Sequence, residues 1–270
     1  MNMITGFIEP TEGEIIVDGY NMAKKPQKAK AEIGYMPEGV PLYTDLTVKE
    51  FVNYMAELKK VNKKERKQKV EKIIEQTGLK DVQNKLTRNL SRGYKQRVSM
   101  AGALVGEPKI LILDEPTVGL DPKQITEIRE LIKELGKTHT VILSSHILSE
   151  VSQICNKVII INKGKLVAID TPENLENKAS QNNSIYVTVE DTENKMETMK
   201  DKIEDIKEIK LIKENEDGTK QYMIEAEGNT DLRKIIFTEF AKENITIFEM
   251  KKTDTTLEDA FMKLIEGGEK

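Results

Sequence analysis

The chain has 270 residues, with 42 basic and 46 acidic side chains and a formal net charge of −4, a length that suits one large domain or a large and a small one. Its interspersed charges lack the basic face that is typical of nucleic-acid-binding domains, so we expect no nucleic-acid partner. The one cysteine, Cys155, excludes an internal disulfide and is typical of a protein in a reducing cytoplasm.

No long apolar segment interrupts the sequence. The first ten residues, MNMITGFIEP, lack the basic start and apolar core of a secretory signal. Apolar runs such as 110–113 are much shorter than the roughly 18 residues of a membrane-spanning helix. We therefore expect any membrane pathway that this chain serves to be formed by another polypeptide.

The first predicted elements are a short strand and two helices. Residues 14–17 (EIIV) lie between glycine-containing turns, which favours a short strand. The segments 47–60 and 64–79 carry apolar residues at helical spacing, and Thr47 followed by Glu50 has the pattern of a capping box. We assign a helical subdomain to about 47–105.

An alternation of strands and helices follows. The strands are apolar on both faces, which predicts a parallel sheet that is covered by helices on each side. The residues Asn162-Lys163-Gly164-Lys165 then predict a hairpin turn. The predicted strands are 109–113, 140–145 and 157–161, and the predicted helices are 122–135 and 147–155.

A second, smaller domain is predicted after this alternation. We place the first domain at 1–172, a linker at 173–184 and the second domain at 185–270. Elements in the second domain follow the order β-α-β-β-α-β, which indicates a ferredoxin-like α+β fold, closed by a helix around Leu257–Ile265. The predicted fold class is an α/β core with a small C-terminal α+β domain.

The segment ILILDEP (110–116) carries two candidate catalytic carboxylates. Asp114 and Glu115 end an apolar strand, at the sheet edge where parallel sheets bind ligands. A carboxylate such as Asp114 suits Mg²⁺, which prefers oxygen ligands and substrate phosphates. Glu115 is placed to accept a proton from an attacking water. The alternative is a pair of solvated acidic residues without a function.

Two further polar positions are candidates for phosphate binding. Ser91 and Gly93 precede an apolar helix, whose free N–H groups and dipole favour phosphate, although an ordinary N-cap serine is the alternative. His146 directly follows the strand 140–145, which places it at the same sheet edge as the carboxylates. The alternative is a histidine that is purely structural. His139 is assigned to the surface.

These motifs together resemble the nucleotide-binding subunit of an ABC transporter. In chain order, LSRGYKQR is similar to the LSGGQ signature, ILILDEP to the Walker B strand, VGLDP (118–122) to the D-loop and SSH to the H-loop. The segment 34–50 resembles the Q-loop region. The resemblance covers about 1–172, implies a P-loop NTPase-like core, and is nearest to bacterial exporter-type subunits, which often carry a C-terminal domain ending like 255–265.

The resemblance implies ATP and Mg²⁺ as cofactors. It implies that Asp114 orients Mg²⁺, that Glu115 activates water as the general base and that His146 contacts the γ-phosphate. Glu38 stands where most members have the Q-loop glutamine. A carboxylate there keeps an oxygen ligand for Mg²⁺ and loses an amide donor.

The resemblance also implies two protein partners. One is a second ATPase subunit, in a head-to-tail dimer in which Ser91 and Gly93 meet the γ-phosphate bound on the opposite subunit and Asp121 communicates across the interface. The other is an integral-membrane permease, which would hold the chain at the cytoplasmic face of the cell membrane. In the signature, Arg92 and Tyr94 replace glycine and glutamine.

One family motif, the phosphate-binding Walker A loop, is missing from these residues. No G-x-x-x-x-G-K-[ST] occurs, and Gly136-Lys137-Thr138 lies between a helix and a strand instead of following a strand. The resemblance places the loop directly upstream of the segment MNMITGF. We therefore expect the sequence to start inside the helix that follows the loop. We therefore expect a truncated sequence that by itself neither binds ATP tightly nor hydrolyses it.

Three functional interpretations follow. The first is a transporter ATPase, exporting through a permease, whose sequence lacks its beginning; we favour it because one truncation explains every missing element. The second is a non-catalytic subunit that supplies only its signature to a partner's ATP site. The third is an ABC-type ATPase outside transport, but the long coiled coils or paired cassettes of such proteins do not occur in this sequence.

Overall fold

The computed structural model describes residues 1–39, 42–179, 183–190, 195–203, 205–215, 218–226, 231–252 and 256–267. The chain divides into two compact units, Met1–Ile147 and Leu148–Lys270. The domain boundary that we place at residue 172 stays a prediction. Among the described helices, none has both the length and the apolar character that crossing a bilayer requires.

The amino-terminal segment is made of turns. Residues 2–6 form consecutive turns in place of the expected helix, although the Thr5 N–H donates to Met1 O at 3.1 Å, as in a helix. The strand predicted at 14–17 is shorter, because β1 (Ile16–Val17) pairs antiparallel with β2 (Tyr20–Asn21) around a two-residue turn. The first short helix, α1 (Pro26–Ala31), follows.

A parallel sheet forms the centre of the first unit. Its strands are β3 (Ile33–Met36), β4 (Ile110–Asp114) and β5 (Thr140–Ser144), in the order β3-β4-β5. Strand β4 is central, and its residues 111–113 are completely buried, as expected for a strand covered on both faces. The parallel sheet predicted for 109–113 and 140–145 is confirmed.

Four longer helices complete the first unit. The predicted capping box at Thr47 is confirmed, because the Thr47 hydroxyl accepts from the Glu50 N–H and the Glu50 carboxylate accepts from the Thr47 N–H. The ammonium group of Lys59, just after that helix, donates to Ile33 O at 2.8 Å and so ties the helical region to β3. These helices are α2 (Val48–Leu58), α3 (Lys63–Gln76), α4 (Arg92–Leu104) and α5 (Pro122–Gly136).

The second unit begins with a helix and a hairpin. The hairpin turn at Lys163-Gly164 is confirmed, with both residues at positive φ, 49° and 76°. Because this tight turn reverses the chain, residues 158–162 pair antiparallel with the next strand and form a separate two-stranded sheet with it. The prediction that these residues belong to the parallel sheet is therefore wrong. These elements are α6 (Leu148–Ile154), β6 (Val158–Asn162) and β7 (Lys165–Asp170).

Much of the predicted linker is helical. Helix α7 (Pro172–Ala179) covers the first part of 173–184, while residues 180–182 lie outside the described part of the chain. Proline is favoured at the first helical position, and the Thr171 hydroxyl accepts from the Asn174 N–H at 3.2 Å. Leu175 is buried in a cluster with Leu257. Tertiary burial thus overrides the polar composition that suggested a linker.

The remaining elements form an antiparallel sheet with two helices. Its strand order is β11-β8-β10-β9, all antiparallel, and the elements follow the β-α-β-β-α-β order expected from the sequence. Residues of both helices share a core with the buried side chains of β8. A last helix packs instead with α6 and α7. The elements are β8 (Asn183–Glu190), α8 (Met196–Lys202), β9 (Ile206–Glu214), β10 (Lys220–Ala226), α9 (Arg233–Lys242), β11 (Thr246–Lys252) and α10 (Leu257–Gly267).

Candidate functional site

The carboxylate of Asp114 is held from both neighbouring strands. Asp114 is the last residue of β4. Its Oδ1 accepts from the Ser144 hydroxyl of β5 at 2.5 Å, and its Oδ2 accepts from the Tyr35 hydroxyl of β3 at 3.3 Å. Hydrogen bonds to both oxygens restrict the rotation of the side chain. The parallel pairing of β3, β4 and β5 therefore fixes the direction in which Asp114 presents its remaining lone pairs.

Tyr35 is a donor at neutral pH because its phenol stays protonated. Burial, followed by the nearby Asp114 carboxylate, raises the pKa of Tyr35 above its usual value. The ring packs edge-on against Phe7, with 5.9 Å between the ring centroids. The phenol is thus positioned by β3 and by an aromatic neighbour while its hydroxyl reaches Asp114.

Glu115 adopts a backbone conformation that is unusual for its residue type. Its φ is 49°, in the left-handed region, which costs roughly 1–3 kcal/mol for a residue other than glycine and occurs often at functional sites. The Glu115 N–H donates to the Ser144 hydroxyl at 3.1 Å. Ser144 therefore contacts both carboxylate residues, once as a donor and once as an acceptor.

His146 lies against the Glu115 side chain. Its Nδ1 is 2.8 Å from Glu115 Oε2, and the histidine side chain is 64% exposed while the glutamate is 17% exposed. A carboxylate oxygen of Glu115 can accept this hydrogen bond from an Nδ1–H. The structure thus brings together Asp114, Glu115 and His146 at one sheet edge; we call these three residues with Ser144 and Tyr35 the carboxylate edge.

Glu38 lies at the same edge of the sheet without joining this hydrogen-bonded group. It is an exposed residue two positions beyond the end of β3, and residues 40 and 41 of the same loop lie outside the described residues. Because β3 and β4 are parallel neighbours, their carboxyl ends, followed by Glu38 and Glu115, lie at one edge of the sheet.

The oxygen donors at this edge suit Mg²⁺. Among the described residues, there is no group of three or more His, Cys, Asp or Glu side chains arranged to hold a metal ion. Mg²⁺ does not need such a cage, since it usually keeps several waters and binds one or two carboxylates plus substrate phosphates. Asp114 supplies one oriented carboxylate, and the exposed Glu38 lies on a loop at the same edge of the sheet.

Ser91 and Gly93 form a separate group at the start of α4. The Ser91 hydroxyl caps the helix and accepts from the Tyr94 N–H at 3.4 Å. Gly93 is buried, and a cavity of about 170 Å³ lies beside both residues. We call residues 91–93 the signature turn. The cavity is lined by Gly78, Ser91, Gly93, Tyr94, Arg97, Gln124 and Ile128.

Asp121 is connected to the signature turn through α5. Its carboxylate caps α5 by accepting from the Gln124 N–H at 2.9 Å, and the Gln124 side chain lines the cavity beside Gly93. No hydrogen bond joins Ser91, Gly93 or Asp121 to the carboxylate edge in the part of the chain that is described. The predicted site residues therefore occupy two separate places in the first unit.

The sequence motifs missed three residues that contact the predicted site residues. Tyr35 and Ser144 hold Asp114, and Gln124 contacts the signature turn. Ser144 lies two residues before His146, and Tyr35 lies three residues before Glu38, so both are next to recognised positions. Their closeness to Asp114 in space follows only from the register of the strands, which no local sequence pattern indicates.

A chain with this parallel sheet, acidic strand end and capped glycine turn has the features of an ABC-type ATP-binding domain. A family model described as ABC transporter matches residues 1–118. The bacitracin transport ATP-binding protein BcrA of Bacillus licheniformis is 33% identical over 271 residues, which cover 99% of this chain and 84% of that protein. The ABC transporter ATP-binding protein NatA of Bacillus subtilis is 36% identical over 62% of this chain and 69% of its own length.

Other relatives extend beyond the matched region, and solved structures share the fold. The linearmycin resistance ATP-binding protein LnrL of Bacillus subtilis is 34% identical, and this chain spans 61% of its length. The structure of cbiO1 from Clostridium perfringens, part of the ABC transporter complex cbiONQ, has a TM-score of 0.59 and 31% identity, over 64% of this chain and 72% of that one.

This chain belongs to the family of ABC transporter ATP-binding proteins. The family and the α/β fold class predicted from the sequence are thereby confirmed.

Proposed function

We propose that this chain is the ATP-binding and ATP-hydrolysing subunit that powers export through a separate membrane permease. The carboxylate edge is the observation that carries the proposal. Asp114, Glu115 and His146 come from two neighbouring parallel strands and lie within hydrogen-bonding distance of one another or of Ser144. Relatives named as bacitracin transport and multidrug ATP-binding proteins support export as the direction.

The proposed roles at the carboxylate edge follow from their hydrogen bonds. Asp114, assisted by Glu38, would hold Mg²⁺, which when bound polarises the phosphate oxygens of ATP. Glu115 accepts a proton from the attacking water as general base. The Nδ1–H of His146 would orient the Glu115 carboxylate, and the exposed side of the ring would contact the γ-phosphate. Ser144 and Tyr35 keep Asp114 in place.

The signature turn has a proposed role on a different nucleotide. Ser91 and Gly93 stand at the amino end of a 13-residue helix, where N–H groups and the helix dipole favour phosphate. We assign them to the γ-phosphate held by a second ATPase subunit, with Asp121 at the interface between the two. The partners are therefore a second ATPase subunit and a permease, and the chain acts at the cytoplasmic face of the membrane.

These 270 residues contain no G-x-x-x-x-G-K-[ST] loop. The backbone N–H groups and the lysine of such a loop supply the main contacts to the β- and γ-phosphates. We propose that these residues by themselves turn over ATP poorly, and that a phosphate-binding loop must be added for full activity.

The test is ATP turnover by the protein as its gene encodes it, purified in complex with the membrane subunit that it binds. Replacing Glu115→Gln is expected to lower turnover by about 10²–10⁴-fold, the usual effect of losing an acid–base group, while ATP binding is retained. The matched control is Glu130→Gln, which makes the same change on the exposed side of α5 and should keep parental turnover. A parental rate in the Glu115→Gln protein would remove the general base from the proposal, and no turnover in the unaltered complex would contradict the ATPase function.

A further inference from the structure

The signature turn contacts the D-loop, residues 118–122, through an arginine that lies over a glycine. Gly119 has a φ of 68°, and a Cβ placed on it would lie 2.2 Å from both Cζ and Nη1 of Arg92. The guanidinium group therefore fills the space directly over the Gly119 backbone. Any side chain at position 119 would have to displace Arg92.

A second contact runs in the opposite direction. A Cβ placed on Gly93 would lie 2.9 Å from both Cδ and Oε1 of Gln124, the third residue of α5. The amide end of Gln124 thus fills the space over Gly93. Arg92 of the signature turn thus covers Gly119 of the D-loop, and Gln124, two residues beyond the D-loop, covers Gly93 of the signature turn.

An ion pair supports this fit one turn further along the helices. The Arg97 guanidinium of α4 lies 2.7 Å from the Glu127 carboxylate of α5, and the arginine side chain is only 18% exposed. Arg97 also donates to Thr77 O at 3.2 Å, at the end of α3. The helices that begin at the signature turn and at the D-loop are therefore joined over more than one turn.

We infer that Arg92 and Gln124 are positioning residues that hold the D-loop against the signature turn, so that the two segments move as one body. We call the paired contacts, Arg92 over Gly119 and Gln124 over Gly93, the reciprocal glycine contacts. The inference accounts for Arg92 in a signature where the family resemblance expects glycine.

The D-loop is also connected to the general base by the chain. The Val118 N–H donates to Glu115 O at 3.3 Å, and the Leu120 N–H donates to Thr117 O at 3.2 Å. A displacement of the signature turn is therefore transmitted through Gly119 to the backbone of Glu115, four residues away. This consequence for catalysis rests on the proposed function, whereas the contacts themselves do not.

Hydrogen exchange at the Val118 and Leu120 amides tests the contacts on the whole protein without nucleotide. Arg92→Ala and Gln124→Ala are each expected to speed exchange at these amides by about twofold to fivefold, the order of effect of losing one exposed side-chain contact. The matched controls are Arg88→Ala, which removes an exposed ion pair with Asp45, and Lys123→Ala, which changes the exposed neighbour of Gln124. Both controls should leave the two amides unchanged.

A shape-preserving variant distinguishes positioning from a general loss of structure. Gln124→Glu keeps the same outline over Gly93, so exchange should stay at the parental rate. In the active complex, Arg92→Ala should lower kcat about twofold to fivefold, the order of effect of one exposed side-chain contact, and leave KM for ATP within about twofold, because the contacts that we assign to ATP belong to Ser91 and Gly93, which this variant keeps.

Unchanged exchange in both alanine variants, or equal acceleration in the controls, would overturn the reciprocal glycine contacts. Altered exchange with unchanged kcat would retain the contacts and overturn their catalytic role. An absence of turnover in the unaltered complex would contradict only the proposed function, because the exchange result does not depend on ATP.

Discussion

The parallel sheet of the first unit and the antiparallel sheet of the second place their polar residues differently. In β4, Leu111, Ile112 and Leu113 are all fully buried, and the polar residues come only at the carboxyl end. In β8, Ile185, Val187 and Val189 are buried while the residues between them are partly exposed. Strand β4 is covered on both faces, whereas β8 buries only one.

This difference shows where each sheet can present polar side chains to a ligand or to solvent. In β4 the polar residue comes only where the strand ends, so Asp114 meets Ser144 and the hydroxyl of Tyr35 at one edge. The antiparallel strands carry polar side chains on their exposed face, and these pair locally, as Lys210 does with Glu208 at 2.9 Å. Polar residues are therefore informative about function in the first sheet and largely about solvation in the second.

Truncating the same residue type in each sheet should give the largest contrast. Leu113→Ala removes a fully buried side chain from β4 and is expected to lower the free energy of unfolding of the first unit by about 2–5 kcal/mol. Leu211→Ala removes a side chain of β9 that is 49% exposed, and should cost less than about 1 kcal/mol. The measurement is exchange of the slowest amides in β4 and β10, which reports on each unit separately. Similar losses at the two positions would contradict the burial difference.

Removing the hydroxyl that joins the two carboxylate residues should have a smaller effect. Ser144→Ala leaves Asp114 Oδ1 and the Glu115 N–H without their shared partner, which should lower the free energy of unfolding of the first unit by about 1–3 kcal/mol. Exchange of the slowest β5 amides measures this change.

Two variants control that measurement. Ser144→Thr keeps the hydroxyl and should recover most of the lost stability. Thr126→Val removes a hydroxyl of the first unit that bonds within its own helix, to Pro122 O at 3.0 Å, and should change the stability by less than about 0.5 kcal/mol. Equal effects of Ser144→Ala and Thr126→Val would mean that the shared hydroxyl does not stabilise the carboxylate edge.

The smallest expected effect is a pH dependence in the second unit. Hydrogen bonds from the Arg233 side chain and then its backbone N–H lower the pKa of Asp231 to about 2, from a usual value of 3.8. Because the folded-state pKa is the lower one, the stabilisation is present above pH 3.8 and is lost as the pH falls towards about 2. Asp231→Asn keeps an acceptor for the N–H and should remove this part of the acid dependence. The measurement is amide protection in α9 across this range, with Glu249→Gln as the control for loss of one charge, and an unchanged acid dependence in Asp231→Asn would contradict the assignment.

Much of the fold was predictable from local patterns. The capping box at Thr47, the apolar strand before Asp114 and the turn at Lys163-Gly164 each depend on neighbouring residues, and each is confirmed. The candidate site was also predictable in part, because the motifs that carry Asp114, Glu115 and His146 end adjacent strands. The prediction of a linker at 173–184 failed because contacts with a distant segment stabilise a helix there: Leu175 of α7 is buried against the last helix.

The sequence by itself determined the family, the parallel strands β4 and β5 and the residue types that carry the chemistry, because periodicity and motif spacing are local properties of the chain. Only the tertiary structure decided that Tyr35 and Ser144 hold Asp114, and that Arg92 lies over Gly119. Tyr35 and Asp114 are 79 residues apart, and they meet because parallel pairing sets the register of β3 against β4. Such contacts depend on how separate elements align and pack, which no single segment encodes.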